Sequence, residues 1–192
     1  MLAGCALAAS AGLNAYAPLL VLAIADRASG NVDLVRPYGF LGSTLSIFII
    51  LTLLTIEIVV DKIPRIDYIN DLIQSVLRPA SGALVFMAIT RATNPVNPLV
   101  AMLIGLILGA SVHVYKMLSR PAITEATNGL GNPMVSMIED GLSGVTSILA
   151  VLMPILGLVS AVASGFLLRF TYRAARRFGR TRIVVKPVTL RQ

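Results

Sequence analysis

The sequence has little of the charge and few of the residue types that soluble domains carry. Its 192 residues include one cysteine, one histidine and no tryptophan, and only 13% are charged. Soluble domains carry about a quarter charged residues. The single cysteine, Cys5, excludes an internal disulfide and a metal site built from several cysteines. Because 56% of the residues are hydrophobic, the composition predicts an integral membrane protein.

The positive charge is concentrated at the C-terminus. The formal net charge is +7, yet the first 168 residues hold eight basic and nine acidic groups and are nearly balanced. The other eight basic residues are Arg169, Arg173, Arg176, Arg177, Arg180, Arg182, Lys186 and Arg191. A basic tail after an apolar helix is typical of a cytoplasmic segment on anionic lipid. We therefore expect a tail over 173–192 that binds anionic lipids and no nucleic acid.

Uncharged runs long enough to span a bilayer recur along residues 1–172. A membrane helix needs roughly 20 apolar residues, and the candidate runs are 1–25, 37–56, 92–112 and 141–168. The run 79–90 is short, and Pro154 and Gly157 predict a break in the longest run. The sequence thus predicts an all-α polytopic membrane protein with about six membrane helices and broken or re-entrant segments.

Two topologies remain open at this stage. Either six helices span the membrane, or four span it and two segments are re-entrant. Counting Lys and Arg on each side favours a cytoplasmic C-terminus in both cases. The sequence thus predicts a multi-pass membrane protein whose C-terminus is cytoplasmic.

The chain contains a weak internal repeat with an offset of 54 residues. The shift aligns Lys62 with Lys116 and Pro79 with Pro133. In each copy an apolar span ends in ionisable residues and a polar stretch follows, over 62–78 and 116–133, which predicts two breaks between helices. The candidate copies are about 38–93 and 94–153. Repeats with broken helices are typical of transporters.

Ionisable residues recur where the apolar runs end. Glu57 and Asp61 are four residues apart, so they share one helix face and repel each other unless cations lie close. Further charged residues predicted in the same membrane band are Lys62, Arg78, Lys116, Arg120, Glu139 and Asp140. Two interpretations remain open. Each charge extends separately to its headgroup region, or the charges form one cluster lining a hydrated vestibule.

Other polar residues interrupt apolar segments. His113 lies three residues before Lys116 and acts either as a proton-sensitive group or as a neutral hydrogen-bonding group. In GLNAYAP (12–18), Asn14 and Pro18 predict a helix interruption whose freed backbone groups need partners. Tyr16 in this segment, and Asn128 and Asn132 in the turn TNGLGNP (127–133), complete the predicted substrate or ion pathway.

Enzyme signatures are absent from the sequence. There is no nucleotide-binding glycine motif, no GxSxG and no HExxH. Carboxylates could hold a divalent cation, but at least four cationic side chains share their membrane band. We therefore predict no catalytic residues, no metal site and no cofactor.

Several stretches resemble a known family. AGLNAYAPLL, EIVVDKIPRIDYINDLIQSVLRPASGAL and SRPAITEATNGLGNPMVSMIEDG are similar to small bacterial integral-membrane proteins catalogued as a domain of unknown function. The resemblance covers nearly the whole chain, up to about Tyr172. It implies an all-helical inner-membrane protein and supplies no reaction.

These features favour a small transporter or channel. Its cargo would be an ion or an anionic solute such as a lipid phosphate, moved through a polar core between two related halves. One alternative is a structural or accessory membrane protein. Another is an intramembrane lipid-modifying enzyme, for which the sequence offers no convincing nucleophile or metal.

The small-residue stretches 105–110 and 160–165 predict tight helix packing or a homodimer seam.

Overall fold

The computed structural model describes residues 1–28, 32–61, 67–93 and 96–183, and these residues are almost entirely helical, with no β-strand among them. The predicted all-α class is confirmed. The α-helices in the described residues are α1 (Leu2–Ala11), α2 (Ala17–Ala28), α3 (Thr44–Val60), α4 (Asp67–Thr93), α5 (Pro98–Thr127), α6 (Gly131–Leu152) and α7 (Pro154–Ile183). A 3₁₀ turn, Tyr38–Gly42, precedes α3.

The helices have the surface of a membrane protein. In the described part of the chain, four helices contain a segment long and apolar enough to cross a bilayer: Leu72–Thr93, Pro98–Thr127, Gly131–Leu152 and Pro154–Ala174. Large apolar side chains point outward, such as Leu45, Phe48 and Phe166, each with at least 67% of its surface exposed. The chain is therefore a helical membrane protein, with shorter apolar helices at Leu2–Ala11 and Thr44–Val60.

Helix α1 lies at the centre of the bundle and runs antiparallel to α4. Near the start of α1, a Cβ on Gly4 would lie 3.0 Å from the Phe86 ring and 3.3 Å from Ile89. Just beyond the end of α1, the Ala15 carbonyl accepts a hydrogen bond from the Ser81 hydroxyl. The first helix thus reaches about half-way along α4 before it stops.

Helix α2 returns toward the end at which α1 began, so the two helices form a hairpin. We call residues 12–16, between the two helices, the hairpin tip. Near the end of α2, Arg27 Nη1 donates to Thr44 Oγ1 at the start of α3 over 2.7 Å. Helix α3 then leads to the level of the hairpin tip, where Glu57 meets Arg78 of α4. Because α3 covers the distance from the end of α2 to the tip, α2 must run away from the tip.

Glycines bring α4 and α5 into very close contact. A Cβ on Gly105 would lie 2.4 Å from the Gly82 carbonyl oxygen, and one on Gly82 would lie 2.6 Å from the Gly105 carbonyl oxygen. Gly109 likewise faces the Arg78 carbonyl. No side chain fits at these positions, so the backbones of α4 and α5 pack directly. The small residues Gly105 and Gly109 therefore serve packing inside the chain.

Two predicted interruptions lie where helices end in the structure. GLNAYAP separates α1 from α2, and in MPILG α6 ends at Leu152 before α7 begins at Pro154. The predicted breaks over 62–78 and 116–133 are shorter than expected. Helix α3 ends at Val60 and α4 begins at Asp67, and α5 ends at Thr127 and α6 begins at Gly131, so most of each stretch is helical. Helix α4 already includes Asp67–Arg78 with Pro79 inside it. Helix α5 continues to Thr127 and ends at Asn128, which has φ 53°.

The charged residues of these two stretches explain why the helices continue. Arg78, Lys116 and Arg120 all find carboxylate partners inside the bundle, so a helix can carry them without reaching water. The count of about six membrane helices stays a prediction. The described residues form seven α-helices, four of which qualify by length and composition.

The two ends of the bundle hold different segments. The N-terminal end holds the start of α1, the end of α2 and the start of α3. The C-terminal end holds the turn between α5 and α6, residues 128–130. Helix α7 begins at the N-terminal end, where Gly157 packs against Ala150, and reaches Tyr115 through Tyr172. The part of α7 beyond Tyr172, which carries Arg173, Arg176 and Arg177, therefore lies toward the C-terminal end.

Candidate functional site

Asn14 organises the hairpin tip. Its Oδ1 accepts hydrogen bonds from the backbone N–H groups of Tyr16 at 3.0 Å and Ala17 at 2.9 Å. These bonds satisfy donors at the start of α2 as an N-cap does. The other side of the amide, Nδ2, donates to Asp140 Oδ1 of α6 over 3.0 Å. Asn14 is fully buried, so one side chain both starts α2 and joins the tip to α6.

The carbonyl groups freed at the tip are bound by side chains of the long helices. Lys116 Nζ of α5 donates to the Leu13 carbonyl oxygen over 3.1 Å. The Ser81 hydroxyl of α4 donates to the Ala15 carbonyl oxygen. A polar backbone group in the membrane interior needs such a partner. The interruption of the helix is therefore stabilised by α4, α5 and α6 together.

Asp61, the C-cap residue of α3, lies among three cations. Its Oδ2 is 3.4 Å from Lys116 Nζ, 3.2 Å from Arg120 Nη2 and 3.7 Å from Arg78 Nη2. The Ser136 hydroxyl donates to the same oxygen over 2.8 Å, and Asn70 Nδ2 donates to Oδ1. Three cations from α4 and α5 thus converge on the carboxylate at the end of α3, and a hydroxyl of α6 joins them.

Two further ion pairs flank Asp61. Arg78 Nη2 lies 2.9 Å from Glu57 Oε1, and Lys116 Nζ lies 2.9 Å from Glu139 Oε2. We call the six residues that make these contacts the ionic cluster; they are Glu57, Asp61, Arg78, Lys116, Arg120 and Glu139. Three carboxylates and three cations make its formal charge zero.

His113 lies beside the cluster in its neutral form. Its Nδ1 is 3.3 Å from Arg78 Nη1 and its Nε2 is 3.0 Å from Ser75 Oγ. A guanidinium can only donate, so Nδ1 accepts and Nε2 carries the proton. His113 therefore fixes the orientation of Arg78 from the side opposite to the carboxylates.

The ionic cluster is sealed from solvent. The side chains of Glu57, Asp61, Arg78, Lys116 and Glu139 are at most 3% exposed, and that of Arg120 is 12% exposed. A single charge at the centre of a bilayer costs about 2.5–3.5 kcal/mol on insertion scales, and pairing lowers this cost. The charges meet in one cluster, as one of the two interpretations had it. Within the part of the chain that the structure describes, this cluster is buried and lines no open hydrated vestibule.

The structure places two of the other predicted site residues, Asn128 and Asn132, away from this cluster, whereas Tyr16 belongs to the hairpin tip near Glu57 and Arg78. Asn128 and Asn132 belong to the turn at the C-terminal end, where Asn132 Nδ2 donates to Thr124 Oγ1 over 2.8 Å. Tyr16 is partly buried against the apolar core. Lys62 lies outside the residues that the structure describes.

Several polar residues of the site were missed from the sequence. Asn70 and Gln74 are buried on α4, two turns and one turn before Arg78, and Ser136 is buried on α6 one turn before Glu139. The four-residue spacing of Asn70, Gln74 and Arg78 was the available signal. It was overlooked because 62–78 was interpreted as a break.

The buried face of α6 also carries polar side chains beyond the ionic cluster. After Glu139, this face consists of Ser143, Thr146, Ser147 and Ala150. Ser143 Oγ donates to the Ser10 carbonyl oxygen over 2.9 Å, and the hydroxyls of Ser10 and Ser147 are 2.8 Å apart. Hydroxyl contacts therefore lead from the cluster toward the N-terminal end along α1 and α6.

These features define a class: a small helical membrane protein with a buried ionic cluster at the tip of a helix hairpin. The chain belongs to the family described as "Domain of unknown function (DUF4126)", whose profile matches residues 1–174. No curated protein and no solved structure matches the chain. The predicted family resemblance is thereby confirmed.

Proposed function

We propose that the protein is a small membrane transporter that moves an ion or an anionic solute through the ionic cluster. The observation that carries this proposal is a buried, charge-balanced cluster at the tip of an interrupted helix. Helices that end inside the membrane present backbone groups to cargo in many transporters. Here such ends meet Lys116, Asp140 and Ser81 at one depth in the bundle.

The sealed cluster favours a transporter over an open channel. Its charges are nearly inaccessible, so cargo can reach them only if helices move. Cargo with the charge of one cluster member can replace that member, and the site then opens to one side at a time. The hydroxyls of Ser143, Ser147 and Ser10 supply polar contacts on the way to the N-terminal end.

The proposed membrane topology has five crossings, by α3 to α7, and one re-entrant hairpin, α1–α2, which enters and leaves from the same side. In this proposal the C-terminal end of the bundle, which holds Arg173, Arg176 and Arg177 of α7, faces the cytoplasm of a bacterial inner membrane under the positive-inside rule. This arrangement differs from both sequence topologies, because one hairpin replaces the first spanning helix.

A structural or accessory role is the second candidate. It is favoured by the completeness of the ion pairs, since each cation of the cluster has a carboxylate within 3.4 Å. Such a network can fix the register of helices without moving cargo.

Flux through purified protein in liposomes separates the two candidates. The probes are labelled phosphate, chloride, potassium and protons, measured singly. We expect the wild type to move at least one of them, and Glu57→Gln to reduce that flux about tenfold or more. Glu125→Gln, which neutralises an exposed carboxylate of α5, serves as the control and should keep the wild-type rate.

Two results would count against transport through the cluster. One is a wild-type flux equal to that of protein-free liposomes for every probe. The other is an equal flux for the wild type and Glu57→Gln, which would place the pathway elsewhere.

A further inference from the structure

We propose that the cations of the ionic cluster form a site for a phosphate-type dianion, and that α3 closes this site with its own carboxylates, Glu57 and Asp61. The inference rests on the proposed function, and it names the cargo class and the moving element. In the sealed state the two carboxylates occupy the positions that the oxygens of the cargo take when α3 moves away.

Helix α3 buries few side chains apart from these carboxylates. Within Thr44–Val60 only Ile50 and Glu57 are buried. Outward-facing side chains such as Leu45 and Val59 are more than half exposed. Asp61 at its C-cap is 2% exposed. An apolar helix with so little buried surface separates from its neighbours at small cost once its charges are replaced.

The cations, in contrast, lie on helices that stay together. Arg78 is on α4, while Lys116 and Arg120 are on α5, and these helices pack backbone to backbone through Gly82 and Gly105. Lys116 is also bound to Glu139 of α6 and to the hairpin tip. Movement of α3 would therefore withdraw two carboxylates and leave the three cations in place.

The charge left behind matches a dianion. Without Glu57 and Asp61, the cluster consists of three cations and one carboxylate, Glu139, and its formal charge is +2. A phosphate monoester carries about −1.5 to −2 at pH 7 and would restore neutrality. A monoanion such as chloride would leave an uncompensated buried charge.

The hydrogen-bond donors of the site suit a phosphate group better than they suit the two carboxylates that now occupy the site. A planar guanidinium binds phosphate oxygens through two parallel hydrogen bonds. Arg78 Nε has no acceptor, and Glu57 Oε2 no donor, among the side chains that the structure describes. Both residues are at least 98% buried. A phosphate with three free oxygens can also take the hydrogen bond of Ser136, which now goes to Asp61.

Removing the internal carboxylate should strengthen phosphate binding. Inorganic phosphate is titrated against chloride at constant ionic strength, and the midpoint of thermal unfolding in detergent is followed. We expect Asp61→Asn to respond to phosphate at a concentration about tenfold or more below that of the wild type, a difference of about 1.4 kcal/mol. Glu125→Gln should respond as the wild type does.

Two further variants keep the test decisive. Glu57→Gln, which removes the other carboxylate of α3, should shift the response in the same direction and replaces Asp61→Asn if that variant does not fold. Adding Arg120→Gln to Asp61→Asn should remove the gain. The proposal is overturned if chloride stabilises the variants as well as phosphate does, or if the variants and the wild type respond equally both to inorganic phosphate and to short-chain phosphatidic acid.

A binding experiment with two lipids identifies the source of the phosphate group. Short-chain phosphatidic acid is compared with short-chain phosphatidylcholine, whose phosphate is a diester without a second negative charge. Binding of phosphatidic acid but not of inorganic phosphate assigns the site to a lipid headgroup and supports the proposal. Binding of neither overturns it.

The binding experiments and the flux experiments can fail independently, so the dianion site and the transport proposal are tested separately. A variant-dependent gain in phosphate binding, together with no wild-type flux of any probe, would support the anion site and contradict transport. Wild-type flux that depends on Glu57, without any gain in the binding of inorganic phosphate or of phosphatidic acid, would support transport and contradict the dianion site.

Discussion

Arg78 illustrates how single residues stabilise the buried charges. It is completely buried, lies 2.9 Å from Glu57, and is oriented by His113 on its other side. Removing one partner of a buried pair leaves the other charge uncompensated, which costs more than the pair contributes. Its replacement should therefore destabilise the protein far beyond the loss of one contact.

We predict that Arg78→Leu lowers the free energy of unfolding by about 3–5 kcal/mol, measured by reversible unfolding in detergent or bicelles. Arg91→Leu is the matched control, because Arg91 is an exposed residue in the last turn of α4. The double variant Arg78→Leu with Glu57→Leu should recover part of the loss. Equal stability of the Arg78 and Arg91 variants would show that Arg78 is not buried among charges.

The candidate site could be predicted in part from single residues. The spacing of Glu57 and Asp61 showed that they share a face and need cations, and Arg78, Lys116 and Arg120 were among the candidates. The partners themselves could not be assigned, since Lys116 binds the carbonyl of Leu13, 103 residues away. Only the packing of α1 against α5 brings these groups together.

At the level of helices, the close approach of α4 and α5 determines where the cations lie. Helix interruptions were predictable because proline, glycine and asparagine act locally, as at the hairpin tip. The direction of α2 was not predictable, since it depends on contacts of the tip with three other helices. Nor could the sequence show that α4 and α5 continue through charged segments, because their partner charges come from elsewhere in the chain.

We predict that Gly105→Ala destabilises the protein by about 1–3 kcal/mol, since the added methyl group would meet the Gly82 carbonyl oxygen and Phe86. The control is Gly141→Ala in α6, where a Cβ would have no neighbour within 4 Å. That control should be neutral or should gain up to about 1 kcal/mol from helix propensity. Unfolding in detergent measures both, and similar effects of the two substitutions would contradict the direct packing of α4 on α5.

For the whole molecule, the hairpin determines which helix ends lie on the same side of the membrane. With five crossings, the start of α1 and the start of α3 lie on one side, and the turn between α5 and α6 lies on the other. Six spanning helices, as one sequence topology had it, would place the start of α1 on the same side as that turn.

We predict the sidedness of thiol labelling from this arrangement. In a Cys5→Ala background, Leu2→Cys and Phe40→Cys should react with a membrane-impermeant reagent from one side only. Leu130→Cys, in the exposed turn between α5 and α6, should react from the opposite side, together with the C-terminal tail. Labelling of Leu2→Cys and Leu130→Cys from the same side would contradict the hairpin.

The central claim is that charges from distant helices pair inside the bundle. A double-mutant cycle on Lys116→Met and Glu139→Gln tests it most directly, because these side chains lie 2.9 Å apart on α5 and α6. We predict a coupling free energy of about 1–3 kcal/mol for this pair. A coupling within about 0.3 kcal/mol of zero would mean that the two charges do not meet, and would contradict the account.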